Sequence, residues 1–164
     1  MNKEEFIKII SKNKNLIYKV CNAYCKDNSN RQDLEQEILI QLWISFKRYD
    51  GRVKTTTWMY KVAINTAISY YRKNSTQQKY RSNIDISLIS LEYEENNIID
   101  EQISLLYSFI DGLNDMDKAL MLLYLDNNKQ KEIAEILGIT ETNVATKIGR
   151  IKQSLKKQFI NHKE

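Results

Sequence analysis

From Lys3 to Lys26 the apolar positions Phe6, Ile9, Ile10, Ile17, Val20, Cys21 and Tyr24 recur at intervals of about three and four. That spacing places them on one side of a helix and predicts one or two amphipathic helices. The polar run "CKDNSNRQ" breaks the pattern with turn formers. Residues 31–48 carry the most regular stripe, with Leu34, Ile38, Leu42 and Phe46 at every fourth position and Leu39 and Trp43 widening it. Ser29 or Asn30 is expected to cap this helix. It should end at "YDGR", where Gly51 accepts a left-handed backbone. Thr55, Thr56 and Thr57 offer a further cap, ahead of a helix expected to run to about Lys73. Trp58, Met59 and Val62 are its predicted inward residues, and Ala63 and Ala67 allow close approach of a neighbour.

Lys61, Asn65, Ser69 and Arg72 follow at spacings of four, four and three, which gathers them on one polar, basic face of that helix. From Asn74 to about Asn97 the chain is polar and shows no sustained amphipathic period. A helix over about Ile98–Leu113 follows, then the short apolar helix of "NDMDKALMLLYLDNN", then two further helices and a basic tail. The chain has no proline and four glycines, so helices can run unbroken and hairpin signals are nearly absent. The expected fold is all-α. It comprises two small helical domains, residues 1–75 and 98–164, joined by a linker at 76–97.

The 164 residues suit one mid-sized domain or two small ones. No apolar run is long enough to span a bilayer, and the N-terminus lacks the apolar core of a signal peptide, so a cytoplasmic protein with no membrane insertion is expected. Cys21 and Cys25 stack on one helical face, but the single histidine, His162, is far from them in the chain. A zinc site needs about four ligands, so the two thiols read as small buried apolar groups, and neither a metal nor a cofactor is expected. Charge divides unevenly. Residues 1–75 carry net +7, residues 76–128 net −7 and residues 129–164 net +4. Two basic blocks around an acidic middle suit two separate contacts with nucleic acid.

The stretch "IAEILGITETNVATKIGRIK" has the pattern of a helix-turn-helix. Ala134 lets the second helix cross closely, Gly138 opens the turn, and Val144 plugs the core. Ile133, Leu137, Ile139 and Ile148 complete that core, and Thr140 is placed to cap the second helix. The outward face of the second helix then carries Thr142, Asn143, Thr146, Lys147 and Arg150. Arginine can pair with guanine, asparagine with adenine, and a threonine methyl can touch thymine. Lys152, Lys156 and Lys157 suit phosphates or a solvated helix end. By itself this unit fits a dimeric regulator acting without polymerase as well as a larger assembly. An enzyme acting on nucleic acid fits poorly, because no phosphate-gripping glycine loop, metal cluster or nucleophile–base pair is visible in the sequence.

"DLEQEILIQLWISFKRYDGRVKTTTWMYKVAINTAISYYRK" resembles the σ2 domain of extracytoplasmic-function (ECF) sigma factors of the sigma-70 family. The resemblance rests on Asp33, Leu34, Gln36, Glu37, Trp43, Thr57, Trp58, Asn65 and Arg72. "KQKEIAEILGITETNVATKIGRIKQSL" is similar to the family's σ4 domain. The resemblance implies a subunit that brings core RNA polymerase to promoter DNA and opens it. Asp33, Leu34, Gln36, Glu37 and Trp43 would then bind the β′ clamp helices, and the C-terminal domain would meet the β flap. Thr57, Lys61, Asn65, Arg72 and Lys73 would face the −10 element. Thr142, Asn143, Thr146, Lys147, Arg150 and Lys152 would face the −35 element. It further implies an anti-sigma factor as a regulatory partner, and a linker whose Glu92, Glu94 and Glu95 imitate RNA charge. Trp58, on the apolar stripe, reads as core as well as base-stacking platform, and Trp43 reads as core as well as part of the polymerase-docking face. A sigma-like protein that occupies polymerase without promoter activity is a further reading. The chain departs from the family at Leu113-Asn114, where Leu-Pro is common, and at Ala145 and Lys147, where basic residue and Arg are frequent.

Overall fold

The computed structural model describes residues 2–81 and 98–163, with side chains for 2–73 and 101–163. Among these residues the chain forms helices α1 (Lys3–Lys12), α2 (Lys14–Tyr24), α3 (Asn28–Phe46), α4 (Thr55–Arg81), α5 (Ile98–Asp111), α6 (Asp115–Leu125), α7 (Gln130–Leu137) and α8 (Glu141–Lys163). No strand occurs among the described residues, so the all-α expectation is met.

The first amphipathic stretch divides at Asn13. Its side-chain amide donates to the Ile9 carbonyl at 2.8 Å, and its backbone N–H donates to the Ile10 carbonyl at 3.0 Å. Two bonds from one residue close α1 and turn the chain into α2. Helix α3 starts earlier than the stripe predicts, and Ser29 and Asn30 lie inside its first turn rather than capping it. The turn is instead tied by Arg31, whose guanidinium donates to the Lys26 carbonyl at 2.9 Å, the Cys25 carbonyl at 3.3 Å and Asn28 Oδ1 at 3.1 Å. Helix α3 ends at Phe46, and Gly51 takes the expected left-handed backbone at φ +75°.

The three threonines are likewise inside α4 rather than before it. The Trp58 N–H donates to the Lys54 carbonyl at 3.0 Å, which makes Lys54 the residue that precedes the helix. Helix α4 runs on to Arg81, past the end expected near Lys73. Against α4 pack α2 and α3, and the core between them holds Val20, Leu34, Ile38, Leu42, Met59, Ala63, Ile64 and Ala67, all essentially without solvent exposure. Ala63 and Ala67 thus act as predicted, because a methyl group lets a helix approach where a longer side chain would hold it off.

In the C-terminal half, Asn114 caps α6 by accepting from the Asp117 N–H at 2.9 Å. An asparagine side chain therefore starts the helix at the Leu113-Asn114 step. Gly138 closes α7 at φ +68°, and its N–H donates to the Ala134 carbonyl. Thr140 Oγ1 accepts from the Asn143 N–H at 3.1 Å and starts α8. Leu120, Leu123, Ile133 and Val144 are fully buried between α6, α7 and α8. Ile136, which the sequence reading passed over, is buried as well, whereas Leu137 and Ile139 are half-covered. The two halves are in contact, with α7 against α4 and α6 against α2.

Candidate nucleic-acid interface

Three solvent-facing groups of side chains stand on this frame. The first is on α3. The stripe Leu34–Ile38–Leu42–Phe46 faces inward, which turns Asp33 and Gln36 to solvent and leaves Glu37 partly covered, accepting from Gln41 Nε2 at 3.0 Å. Leu34 is wholly buried, so it anchors the helix and offers no surface to a partner. Trp43 is 38% exposed and meets the Phe6 ring edge to face, with ring centroids 5.0 Å apart. Ile40 and Ile44, each 51% exposed, extend the same face, and the sequence reading missed them. Two isoleucines outside the every-fourth-residue stripe of an otherwise amphipathic helix were the signal available.

The second group is on α4. Lys61, Asn65, Ser69, Arg72 and Lys73 are all exposed and form the predicted polar face. Thr57 does not join them, because it is 5% exposed in the first turn of the helix. Trp58 is 9% exposed and stacks on Tyr49 at 4.7 Å, so it belongs to the core. The third group is on α8. Thr142, Asn143, Thr146, Arg150 and Lys152 are exposed. The Thr146 hydroxyl donates to the Thr142 carbonyl at 2.9 Å, which leaves its methyl for outward contact. Lys147 is half-covered and lies 3.3 Å from the Asp117 carboxylate on α6. Lys152 sits over the Tyr124 ring at 4.5 Å. Both lysines are thus partly engaged within their own half.

Contacts between the halves involve residues that no short motif marks. Tyr60 of α4 donates its hydroxyl to Asp126, and Lys19 of α2 pairs with the same carboxylate. Lys54 pairs with Glu132, Lys26 with Asp111 at 2.8 Å, and Arg72 with Asp115 at 3.2 Å. The Tyr24 hydroxyl donates to the Asp115 carbonyl at 2.8 Å. Lys118 of α6 is buried, with its ammonium 5.5 Å from the Tyr24 ring and 5.7 Å from the Tyr71 ring. Burial, then the hydrogen bond to Asp126, pushes the Tyr60 hydroxyl well above its ordinary range. It therefore stays protonated and donates. The hydrogen bond from Lys54, followed by one from the Lys129 N–H, holds the Glu132 carboxyl below its ordinary range. Among the described residues no group of three or more possible metal ligands occurs, and no helix is long and apolar enough to cross a membrane.

Residues 9–77 match the family model of Sigma-70 region 2, and residues 103–155 match that of Sigma-70 region 4. Together these matches take in α3, most of α4 and the helix-turn-helix. The chain is 25% identical to the ECF RNA polymerase sigma factor SigW of Bacillus subtilis, over 96% of its own length and 90% of that protein's. It is 29% identical to SigM of the same organism, over 87% of each chain. The fold superposes on CnrH, solved with the cytosolic domain of CnrY, with a TM-score of 0.70 at 14% identity over 98% of this chain and 90% of that one. It also superposes on the sigma factor RpoE of Bartonella quintana, solved with the anti-sigma factor NepR, with a TM-score of 0.66 at 14% identity over 94% of each. Two family regions in the family's order, on a fold shared along nearly the whole chain, leave no support for a free-standing dimeric regulator: the chain belongs to the ECF group of the sigma-70 family and is an alternative sigma factor, which directs transcription initiation.

Proposed function

We propose that the three exposed groups divide the work of that role. Residues 1–75 form the unit that holds core polymerase and the −10 element, and residues 98–164 form the unit that reads the −35 element. On α3, Asp33, Gln36 and Glu37 meet the β′ clamp helices, with Ile40, Trp43 and Ile44 supplying apolar contact beside them. On α4, Lys61, Asn65, Arg72 and Lys73 meet the −10 strand, where lysine and arginine match phosphate and asparagine can bond to an unstacked base. Thr57, being covered, supports that helix from inside. On α8, Asn143 and Arg150 face the major groove with the Thr142 and Thr146 methyls, and Lys147 and Lys152 approach phosphates.

The observation that carries this reading is the exposure of Lys61, Asn65, Ser69, Arg72 and Lys73 along α4, a few residues beyond the covered Trp58. The apolar side of the helix is consumed by the core, so the basic side is presented outward as a unit. The role is one of binding and positioning rather than bond-making. The further partners are the β flap for the C-terminal unit and an anti-sigma protein, and the site of action is the cytoplasm. CnrH and RpoE, whose fold this chain shares, were each solved with another protein bound, and for RpoE that protein is an anti-sigma factor.

Capture of bacterial core RNA polymerase by the purified chain tests the docking face. Wild type should bind, and Gln36→Ala with Glu37→Ala should weaken capture while leaving the helical circular dichroism unchanged. Equal capture by the double variant would remove these residues from the interface. Glu92, Glu94 and Glu95 lie outside the described residues, and their proposed imitation of RNA charge is tested by abortive transcription after neutralising them.

A further inference from the structure

Lys118 is out of keeping with the apolar run it belongs to. Its neighbours on α6, Ala119, Leu120, Met121 and Leu123, fill the core, and Lys118 is itself only 7% exposed. Lysine is seldom covered to that degree unless a carboxylate pairs with it, because the ammonium gives up its hydration. Among the described residues no carboxylate forms an ion pair with Lys118 and no oxygen accepts a hydrogen bond from it.

Its company is aromatic instead. The Nζ lies 5.5 Å from the centre of the Tyr24 ring and 5.7 Å from that of Tyr71. Ring faces attract the charge, but they do not replace oxygen acceptors for the three N–H donors of an ammonium. Among the described residues, every covered side-chain nitrogen or oxygen that is sealed from solvent has a hydrogen-bond partner. The Lys118 ammonium has none, so it is not sealed, and the small exposed part of the residue includes its charged end.

That end lines a cleft of about 360 Å³, a size at the small end of ligand-binding cavities. Tyr24 and Cys25 come from the end of α2, Asn30 from α3, Tyr70 and Tyr71 from α4, and Lys118 from α6. Charge among the other lining residues is largely cancelled. Lys26 and Asp111 pair with each other at 2.8 Å, and Asp27 is exposed at the start of α3. The Arg31 guanidinium is engaged by the Lys26 and Cys25 carbonyls. Burial raises the Cys25 thiol above its ordinary range; Arg31 lowers it, Asp27 raises it and Lys118 lowers it, so both cations stand near that sulfur. Three cations thus surround the cleft with two carboxylates, and of the three it is Lys118 that lacks an oxygen partner among the described residues.

We propose that the cleft is a binding site for a small planar carboxylic acid. Its carboxylate accepts from the Lys118 ammonium, with the Asn30 amide beside it, and its flat apolar body lies among the tyrosine rings. The Tyr24 hydroxyl is committed to the Asp115 carbonyl, so that residue offers its ring face rather than its hydroxyl. A bare inorganic anion would leave the rings uncovered, and an uncharged ring would leave the ammonium unmet. None of the lining residues named here belongs to the groups assigned above to polymerase and DNA.

The test titrates the isotope-labelled full chain with benzoate, benzamide and inorganic phosphate at one ionic strength, read by nuclear magnetic resonance. Benzamide has the ring without the charge, and phosphate the charge without the ring. Benzoate should shift the amides of Tyr24, Cys25, Asn30, Tyr71 and Lys118 and bind about ten-fold or more tightly than either of the others, as a charge-assisted hydrogen bond predicts. Lys118→Met keeps an unbranched stem and removes the charge, so it should bind benzoate no better than benzamide. Tyr71→Ala, at a ring that is 43% exposed, should fold as wild type and weaken benzoate by about three-fold or more. A wild type that binds benzamide or phosphate as tightly as benzoate overturns the proposal. So do shifts spread evenly along the chain, the lack of any saturable shift, and unchanged benzoate binding by Lys118→Met. If Lys118→Met fails to fold by circular dichroism, Tyr71→Ala decides, and unchanged benzoate binding by that variant overturns the proposal.

Discussion

The ring of Trp58 lies 4.7 Å from that of Tyr49, nearly parallel at 21°, and the Tyr49 hydroxyl donates to the Val53 carbonyl at 2.7 Å. One tyrosine therefore ties the turn through Gly51 to the start of α4 and stacks on the tryptophan that seals the core beside Phe46. Trp58→Ala should cost ~3–5 kcal/mol of unfolding free energy, as for other large aromatic truncations. Tyr49→Phe keeps the stack and loses two hydrogen bonds, to the Val53 carbonyl and with Thr55 Oγ1 at 3.3 Å, so it should cost ~1–3 kcal/mol. Urea titration followed by circular dichroism reads both. A small loss for Trp58→Ala would mean that the ring contributes little to the core.

Ile40 and Ile44, each 51% exposed, present apolar surface beside Gln36 and Glu37. Replacing both with serine should leave the melting temperature within a few degrees of wild type, because exposed sites rarely alter stability by more than about 0.5 kcal/mol. Core-polymerase capture should fall by about ten-fold. Undiminished capture would exclude the two isoleucines from the docking face.

Gly138 has φ +68° with no atom within 4 Å of where a β-carbon would stand, so an alanine there is opposed by backbone conformation and not by crowding. Gly138→Ala should cost ~1–2 kcal/mol. Thr140→Ala, which removes the cap of α8, should cost ~1 kcal/mol. Hydrogen exchange of the α7 and α8 amides would localise both losses to the C-terminal half. Protection lost evenly over the whole chain would contradict that localisation.

On α8, Arg150 is exposed and carries the forked donors that suit guanine, whereas Lys147 is half-covered beside Asp117. Arg150→Ala should weaken −35 duplex binding by the holoenzyme by ~1–3 kcal/mol and relax preference at one base pair. Asp117→Asn should release Lys147 and strengthen binding with little change in sequence preference, since a freed lysine adds a phosphate contact. Footprints on a promoter and its single-base variants distinguish the two effects. An Arg150→Ala loss that is uniform across sequences would reassign that residue to phosphate.

Burial first, and then the charge of Glu35, pushes the Cys21 thiol up to about 12. A thiol with an ordinary value near 8.5 releases its proton in the unfolded chain before it does so in the folded one. This contribution to stability is whole below about pH 8.5 and is lost as the pH rises towards about 12. At pH 8 the native protein should therefore react with a thiol-specific disulfide reagent orders of magnitude more slowly than the protein in urea. Rapid labelling of Cys21 in the folded chain would show that α2 opens locally.

The inward stripes of α2, α3 and α4 were legible because each depends on neighbours three or four positions away. Leu34, Ile38, Leu42, Ala63 and Ala67 needed only the period of a helix to be placed. The turn of the helix-turn-helix was legible for a like reason, since Gly138 and Thr140 act on the adjacent backbone. Helix starts were misread where a distant atom did the capping. Arg31 ties the turn before α3 through carbonyls five and six residues back, and no cap pattern marks it. Asp126 was out of reach altogether, because Tyr60 and Lys19 are 66 and 107 residues away in the chain. The sequence reading gives a role within the acidic block 76–128 only to Glu92, Glu94 and Glu95 of the linker. Asp111, Asp115 and Asp126 sit on or beside α5 and α6 and pair with cations of the basic block that precedes them.

Helix α4 leaves no side idle. Met59, Ala63, Ile64 and Ala67 fill the core, Lys61, Asn65 and Ser69 face outward, and Tyr60 and Arg72 reach the other half. A saturation mutagenesis map over Thr55–Lys73 should consequently lack the permissive stripe that an ordinary surface helix displays every third or fourth residue. With the DNA role proposed for its outward face, drift in promoter preference would be confined to those few positions, and any rotation of the helix would have to be matched by compensating changes in both of the bodies it touches.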